Sequence, residues 1–276
     1  MKAFILCAGL GTRLRPISNQ IPKCLVEVKG TSLLERHIRK LKEINVSEII
    51  INLHHKPDAI KEFLNRKKNF GINITFSEED TLMGTGGAMI KAKEEIGTKT
   101  FVLVSGDLYT EYPLERLSYK VDGAHLIAVK NNKSTGDFSI NEGIVEEGAG
   151  FNYGGIALIN PTLLADRNKQ HKEFWNDIIL PAVKKKKVSA EIYEGVLKNI
   201  NTNYLIKNYN LMVVSGIKPS SGYSLELEKV IKKNLNNYFY FKNIKPKKNF
   251  KVLPAQNTPF CLLNIDRPDK AIIVIN

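Results

Sequence analysis

Apolar strands alternate with amphipathic helices over the first 107 residues of the chain. Four segments are short runs of Ile, Leu, Val and Phe, which are typical of strands buried on both faces of a sheet. They are MKAFILCAG (1–9), SEIIINLHH (47–55), INITFSEE (72–79) and FVLVSGD (101–107). Helix patterns at 31–45, 58–71 and 86–97 separate them, and the first begins with Thr31 or Ser32 as its N-cap. This alternation predicts an α/β fold with a doubly wound parallel sheet.

After Asp107 the alternation becomes less regular. AHLIAVK (124–130) and FNYGGIALIN (151–160) are typical of strands, and FSINEGIVEEG (138–148) predicts a hairpin. KEFWNDIILPAVKK (172–185) predicts a helix that is interrupted or ends near Pro181. We therefore expect a Rossmann-like doubly wound sheet that is mixed, mostly parallel and flanked by helices, with a small C-terminal appendage.

Composition limits the environment of the protein more than its function. The formal net charge of +13 suits nucleic acid, an anionic membrane or an acidic small substrate, and does not choose among them. Cys7, Cys24 and Cys261 are too few and too scattered for a disulfide framework or a zinc site. No apolar run is long enough for a membrane span, and the first is too short for a signal peptide. We expect a cytoplasmic protein with reduced thiols and no membrane partner.

The turn after the first strand, GLGTRLRP (9–16), lies where an open parallel sheet usually binds phosphate. It is not a dinucleotide-binding GxGxxG loop, because a leucine follows Arg13 where the third glycine would stand. It is not a Walker A loop either, because no Gly-Lys-Ser/Thr follows. Gly9 and Gly11 would let backbone N–H groups approach an anion, and Arg13 could hold phosphate oxygens in a bidentate fork. A triphosphate fits this turn.

The segment IPKCLVEVKG (21–30) adds a second cation. Lys23 directly follows Pro22, and the proline ring fixes the preceding backbone and so directs the ammonium group. A point charge of this kind suits a phosphate that is transferred or develops charge.

These motifs together resemble a known family. LCAGLGTRLRP (6–16) with PKCLVEVKG (22–30) resembles the signature of the sugar-1-phosphate nucleotidylyltransferases, and the resemblance continues through GTGGAMIKA (84–92) and LVSGDLYTEY (103–112). It covers roughly residues 1–207. The resemblance implies a Rossmann-like fold and a reaction that joins an NTP to a sugar 1-phosphate and releases pyrophosphate. It also implies a nucleotidylyltransferase domain over residues 1–215, followed by an extension at 216–276.

The resemblance assigns roles to individual residues. Asp107 ends the strand FVLVSGD and is implied to ligate Mg²⁺, although an aspartate here could instead close a turn or cap a helix. Arg13 is implied to bind the leaving β- and γ-phosphates, and Lys23 the α-phosphate or the attacking phosphate. The residues implied to line the nucleotide are Gly9, Gly11, Thr12, Arg13, Gly86 and Gly87.

The second half is similar to bacterial N-acetylmuramate-1-phosphate uridylyltransferases, through TGDFSI (135–140) and NYGGIAL (152–158). This implies UTP and N-acetylmuramate 1-phosphate as the substrates, in peptidoglycan recycling. Asp137 and Gly154 would then face the sugar, although Asp137 could equally close a turn. GTGGA is also found in guanylyltransferases, so guanylyl or cytidylyl transfer to heptose, mannose or another phosphorylated alcohol is an alternative.

One position departs from the family pattern. Where the family has Asp-Val-Gly-Thr, this chain has Asn199, Ile200, Asn201 and Thr202. The second metal ligand would therefore be the amide oxygen of Asn199, which supplies no charge, so we expect weaker Mg²⁺ binding. A non-catalytic protein that binds nucleotide sugars is the alternative that this change favours.

The extension at 216–276 carries one helix pattern, YSLELEKVIKKNL (223–235), and short strand-like pieces. It mixes basic and aromatic residues as nucleic-acid surfaces do, but it contains no recognition motif. A packed β-rich appendage or a homo-oligomer contact is the interpretation we favour over a nucleic-acid partner.

Overall fold

The structure is a computed structural model. It describes residues 1–14, 18, 21–117, 120–131, 135–165 and 171–200, together with the backbone of the strands at 212–215, 224–233, 236–244, 260–263 and 274–275. The chain forms two compact units. The first comprises Met1–Leu10 and Ile21–Asn199, and the second comprises Gly11–Gln20 and Ile200–Asn276.

Twelve strands are described in the first unit. They are β1 (Lys2–Leu6), β2 (Glu27–Val28), β3 (Thr31–Ser32), β4 (Glu48–Leu53), β5 (Asn73–Glu78), β6 (Phe101–Ser105), β7 (Leu108–Thr110), β8 (Ala124–Lys130), β9 (Phe138–Asn141), β10 (Ile144–Ile159), β11 (Val188–Ile192) and β12 (Leu197–Asn199). Seven of them form one sheet in the order β11-β8-β10-β6-β1-β4-β5, and β9 pairs with β10 beside this path. β2 pairs with β3, and β7 with β12.

The sheet is mixed, as its sequence predicts. β1 is parallel to β4 and β6, β4 is parallel to β5, and β8 is parallel to β11. β10 is antiparallel to each of β6, β8, β9 and β11. From β1 the chain moves outward through β4 to β5, and then returns to place β6 on the other side of β1. The carboxyl ends of β1 and β6 are therefore a topological switch point, where ligands bind in open α/β sheets.

Five α-helices are described in the first unit. They are α1 (Leu33–Glu43), α2 (Pro57–Arg66), α3 (Gly84–Lys91), α4 (Lys93–Ile96) and α5 (Leu180–Val183). Ser32 is the N-cap of α1, because its Oγ accepts the Glu35 N–H at 3.2 Å. Gly97, at a φ of +80°, ends α4. A π-helical turn, Phe174–Ile179, precedes α5, so the segment around Pro181 is interrupted as expected.

Both faces of the sheet are buried. Ala3 and Ile5 of β1 belong to a core that also holds Leu34, Ile38 and Leu41 of α1. Phe4, between them in sequence, belongs to a second core with residues of α3 and of the π-helical turn. Successive side chains of a strand point to opposite faces, so a strand that is fully buried on both faces separates two helical layers. This is the doubly wound arrangement that the apolar runs predict.

The hairpin predicted at 138–148 is confirmed, and its turn has positive φ at Glu142 and Gly143. The strand predicted separately at 151–160 is not a new element, because β10 runs without interruption from Ile144 to Ile159. At Gly148 this strand lies very close to β9, because a Cβ there would lie 1.9 Å from Ser139 Oγ.

The second unit contains a 3₁₀ turn, Thr12–Leu14, and five described strands. These are β13 (Met212–Ser215), β14 (Ser224–Lys233), β15 (Asn236–Ile244), β16 (Phe260–Leu263) and β17 (Val274–Ile275). β13 pairs with β16 and so shares a sheet with residues of the extension, while the domain boundary at 215 stays a prediction. Of the helices in the described residues, none is both long and apolar enough to cross a membrane.

The helix predicted at 223–235 is wrong, because β14 pairs there with β15 over nine residue pairs. Leu225 and Leu227 in fact alternate with Glu226 and Glu228, and Val230 and Ile231 are β-branched. Period-two alternation and β-branching favour a strand.

Candidate active site

Gly106 brings the end of β6 against the end of β1. Its N–H donates to the Leu6 carbonyl at 3.0 Å. A Cβ at this position would lie 2.4 Å from that oxygen and 2.9 Å from Cys7 Sγ, so only glycine fits. Asp107, the next residue, is thereby held at the switch point. The sequence motif contains Gly106, but sequence analysis gave it no role.

Lys23 and Asp107 meet at this edge of the sheet. Lys23 Nζ lies 2.5 Å from Asp107 Oδ2, and the two side chains are 15% and 33% exposed. Pro22 precedes the 3₁₀ turn Lys23–Leu25 in an extended conformation, and its carbonyl accepts the Leu25 N–H. The structure therefore joins two of the residues that the sequence selects, which are 84 positions apart.

Two buried groups lie beside this ion pair. Burial, together with the nearby charge of Lys40, lowers the pKa of His37 to about 4, although the carboxylate of Asp107 and a hydrogen bond to the Leu108 backbone oppose that shift. A hydrogen bond with Cys24, and then burial, hold the pKa of the Cys7 thiol well above its usual range. At pH 7, His37 is therefore neutral and the Cys7 thiol is protonated. Neither buried group adds charge beside the Lys23–Asp107 ion pair.

The first turn has room for a ligand at Gly9. A Cβ built on Gly9 would meet no heavy atom of the residues that the structure describes within 4 Å. Gly11 and Thr12 belong to the second unit, where Gly11 has a φ of +63° and its carbonyl accepts the Leu14 N–H at 2.8 Å. The side chain of Arg13 lies outside the described residues, so its phosphate contact stays a prediction.

Gly86 and Gly87, on the first turn of α3, have a structural role that the sequence did not indicate. Their N–H groups donate to the Lys172 carbonyl at 2.9 and 3.1 Å. A Cβ on Gly86 would lie 3.0 Å from that oxygen, from the Glu173 carbonyl oxygen and from Ile178 Cγ1. These glycines let the segment at 171–178 pack closely on α3. This packing does not bear on the predicted contact of Gly86 and Gly87 with the nucleotide, which stays a prediction.

Asp137 and Gly154 also have partners within the fold. Asp137 Oδ2 accepts the N–H of Tyr153 in β10 at 2.9 Å, so the bond ties Asp137 to a strand that is distant in sequence and does not close a local turn. A Cβ on Gly154 would lie 2.7 Å from the Ile127 carbonyl oxygen, so this glycine permits close strand packing. The predicted sugar contacts of both residues stay predictions.

Asn199 reaches the neighbourhood of Asp107 through strand pairing. It ends β12 opposite Leu108 of β7, the residue directly after Asp107. Its side chain is exposed. Among the described residues, no three or more His, Cys, Asp or Glu side chains are grouped as a metal site. The carboxylate of Asp107, just before β7, and the amide of Asn199, in the paired strand β12, nevertheless suit Mg²⁺, which usually takes one or two carboxylates and completes its shell with water and phosphate oxygens.

Sequence reasoning missed several polar residues around this edge. Asn52 and Glu79 are 3% and 5% exposed and are hydrogen-bonded to each other. Asn52 interrupts the apolar run of β4, and a polar side chain in a strand buried on both faces was the one available signal. No comparable signal marked Lys172, because it acts through its backbone carbonyl.

The known proteins that the chain resembles are nucleotidyl transferases. Residues 2–134 match the family model for nucleotidyl transferases. Probable mannose-1-phosphate guanylyltransferase 1 of Oryza sativa is 34% identical over 121 residues, which are 42% of this chain and 34% of that protein. The N-acetylmuramate α-1-phosphate uridylyltransferase of Neisseria meningitidis is 27% identical over 216 residues, covering 73% of this chain and 94% of that protein.

A solved structure supports the fold. The putative glucose-1-phosphate thymidylyltransferase from Bacillus anthracis superimposes with a TM-score of 0.63 at 21% identity, over 72% of this chain and 89% of that one. The mixed, mostly parallel sheet flanked by helices is therefore shared with it. The chain spans about a third of the length of the first curated relatives it matches.

Proposed function

Because residues 2–134 match the family model for nucleotidyl transferases, we propose that the chain transfers a nucleotidyl group from an NTP to a sugar 1-phosphate and releases pyrophosphate. The observation that carries this proposal is the Lys23–Asp107 pair at the switch point between β1 and β6. A cation and a carboxylate at this edge are suited to phosphate chemistry.

The residues would act by positioning and by neutralising charge. In the transfer, an oxygen of the sugar phosphate forms a bond to the α-phosphorus of the NTP, and the bond from that phosphorus to the bridging oxygen of pyrophosphate breaks. Lys23 has three N–H donors, so it can hold Asp107 and a phosphate oxygen at the same time. The open backbone at Gly9 would admit phosphate oxygens to the first turn.

We propose that Asp107 and Asn199 hold Mg²⁺ together with substrate oxygens. Held by these two residues, Mg²⁺ would supply positive charge that offsets the negative charge of the phosphates. Asp107 would supply the charged ligand, since Asn199 offers only a neutral amide oxygen. Lys23 would keep the Asp107 carboxylate oriented before the substrates arrive.

For the substrates we propose UTP and N-acetylmuramate 1-phosphate. The support is the uridylyltransferase of Neisseria meningitidis, whose length the alignment covers almost entirely. GTP with mannose 1-phosphate is the second candidate pair, because the guanylyltransferase of Oryza sativa is more identical over a shorter region. The reaction class is common to both pairs.

The proposal is tested by pyrophosphate release from the purified protein with Mg²⁺. The four NTPs are each combined with the 1-phosphates of N-acetylmuramate, glucose, mannose and heptose. We expect release with one pair, and a loss of at least about a hundredfold in Asp107→Ala. Asp58→Ala, which removes an exposed carboxylate at the start of α2, is the matched control and should keep full activity.

A non-catalytic nucleotide-sugar binder would give a different result. It would bind NTP with no pyrophosphate release from any pair. In that case Asn199→Asp, which restores the family carboxylate, tests whether the amide is the reason. Release that appears only in Asn199→Asp would assign the loss of turnover to this position, and silence in both proteins would contradict the transferase proposal.

A further inference from the structure

A buried chain of hydrogen bonds connects three strand ends to the start of α3. The Cys7 N–H, just after β1, donates to Asn52 Oδ1 at 2.7 Å. Asn52 Nδ2, in β4, donates to Glu79 Oε1 at 2.8 Å. Glu79, just after β5, accepts the Met83 N–H at Oε2 at 3.0 Å. Met83 is the residue before α3, so these hydrogen bonds span the edge of the sheet from the end of β1 to this helix.

The position of Asn52 makes this arrangement costly unless all its partners are present. Ile49, Ile50, Ile51 and Leu53 of β4 are fully buried, and Asn52 is 3% exposed. A polar side chain buried in such a strand is destabilising when its hydrogen bonds are not made. An apolar residue would serve the core as well or better. The reason for an amide at this position therefore lies in the two groups that it connects, the Cys7 N–H and the Glu79 carboxylate.

The donors and acceptors of this series of hydrogen bonds can be paired in only one way. The Cys7 and Met83 N–H groups are both donors, so each end of the link must be an acceptor. An amide at 52 and a carboxylate at 79 meet this need, with the Asn52 NH₂ donating to Glu79 between them. The same orientation fixes which atom of the Asn52 amide is the oxygen.

Glu79 is also held by its backbone. Its N–H donates to the Leu53 carbonyl at 2.7 Å, and its own carbonyl lies 2.8 Å from His54 Nδ1. The carboxylate is thus presented from a fixed point between β4 and α3. Any movement of the Cys7 backbone relative to α3 would break at least one of these hydrogen bonds.

We propose that Asn52 and Glu79 are positioning residues that fix the backbone at Cys7 and the start of α3 as one body. This inference rests on the proposed function, because Cys7 lies two residues before Gly9, where the proposed phosphate site begins. Neither residue touches the reacting atoms. Loosening the link would disturb NTP binding, and a misplacement of about 1 Å is enough to reduce the rate about a hundredfold.

A reciprocal exchange of the two groups tests the link. In Asn52→Asp two carboxylates face each other, and in Glu79→Gln the link has one acceptor fewer. The double variant Asn52→Asp/Glu79→Gln restores every pair. Its carboxylate at position 52 accepts from the Cys7 N–H and from the amide NH₂ at position 79, and the oxygen of that amide accepts from the Met83 N–H. The net charge of the double variant equals that of the original protein. Asn73→Asp/Glu94→Gln makes the same two changes at exposed positions and is the matched control.

Amide hydrogen exchange at Cys7 and Met83 is the first readout, since it needs no substrate. We expect each single variant to exchange at least about tenfold faster at both amides, and the double variant to return to within about threefold of the original. Exchange in the double variant that stays as fast as in the single variants would overturn the proposal. Urea unfolding identifies any single variant that is not folded, and the double variant then decides.

Steady-state pyrophosphate release is the second readout. We expect the single variants to raise the KM for NTP about tenfold or more, to leave the KM for the sugar phosphate within about twofold, and to recover in the double variant. Unchanged kinetics in single variants that exchange faster would overturn the positioning role. If the original protein releases no pyrophosphate, the proposed function fails while the exchange data still decide whether the link fixes this edge.

Discussion

His37 is 2% exposed on α1, behind the turn that carries Asp107. Its Nε2 has no hydrogen-bond partner among the described residues, and its ring bonds to the Leu108 backbone. Burial lowers its pKa from 6.5 to about 4. A neutral ring here leaves the Asp107 carboxylate to Lys23, because a histidinium would compete for it.

The lowered pKa predicts a pH dependence of stability. The unfolded state binds the His37 proton more tightly, so this contribution to stability is complete above pH 6.5 and is lost as the pH falls toward 4. Between pH 7.5 and 5 we expect a loss of about 2 kcal/mol in the free energy of unfolding, measured with urea, and a flatter profile in His37→Gln.

His171→Gln is the contrasting variant for this measurement. The Leu82 carbonyl and then Glu173 raise the pKa of the exposed His171, so its small contribution has the opposite sign and is lost as the pH rises. Parallel profiles for the original protein and His37→Gln would show that His37 is not the source of the slope.

At the scale of elements, α3 and the segment at 171–178 depend on close contact at Gly86. An added methyl group would meet two backbone carbonyl oxygens, which cannot move away as a flexible side chain can. We expect Gly86→Ala to lower the free energy of unfolding by about 1–3 kcal/mol in urea titrations. The affinity for UTP would then fall as a secondary effect of the shifted helix.

Gly9→Ala is the matched glycine variant, because its Cβ would contact none of the described residues. We expect its free energy of unfolding to stay within about 0.5 kcal/mol of the original, while calorimetric titration shows weaker UTP binding. The two glycines would thus separate a packing role from a ligand role. Destabilisation by Gly9→Ala, or none by Gly86→Ala, would contradict this division.

The elements that the sequence predicted well are those whose signal is local. β1 and β6 are short apolar runs, and Ser32 precedes a helix with the spacing of a capping residue. The sequence predicts a hairpin and a separate strand where β10 is one strand, whose glycines at 148 and 154 approach β9 and β8 closely. The helix predicted at 223–235 is wrong because the pairing of β14 with β15, which joins distant residues, decides its structure.

The same distinction applies to the site. Lys23 and Asp107 lie in motifs, so the sequence selected both. The links from Asn52 to Glu79 and from Gly86 to Lys172 join positions 27 and 86 residues apart, and no local pattern specifies such contacts. The partners of a buried polar group depend on which strand ends the topology brings together.

The chain has a formal net charge of +13 and carries lysines at both edges of the sheet, so distant lysines could influence the charge around the proposed site. Lys184 and Lys185 follow α5 and precede β11, which begins at the amino edge of the sheet. Lys23 lies at the carboxyl edge. β6, of five residues, crosses the sheet between the two edges and spans about 17 Å at about 3.3 Å per residue.

This separation predicts an effect that depends on salt. The Debye length is about 8 Å at 0.15 M salt and about 30 Å at 0.01 M, so charge at the amino edge is screened from the site only at the higher concentration. In Lys184→Glu/Lys185→Glu we expect the kcat/KM for NTP to change less than about twofold at 0.15 M and to fall severalfold at 0.01 M. A large loss at 0.15 M would instead mean that these lysines contact the substrate. Tight retention of the original protein on duplex DNA at 0.15 M, weakening steeply with added salt, would show that its positive charge serves nucleic acid.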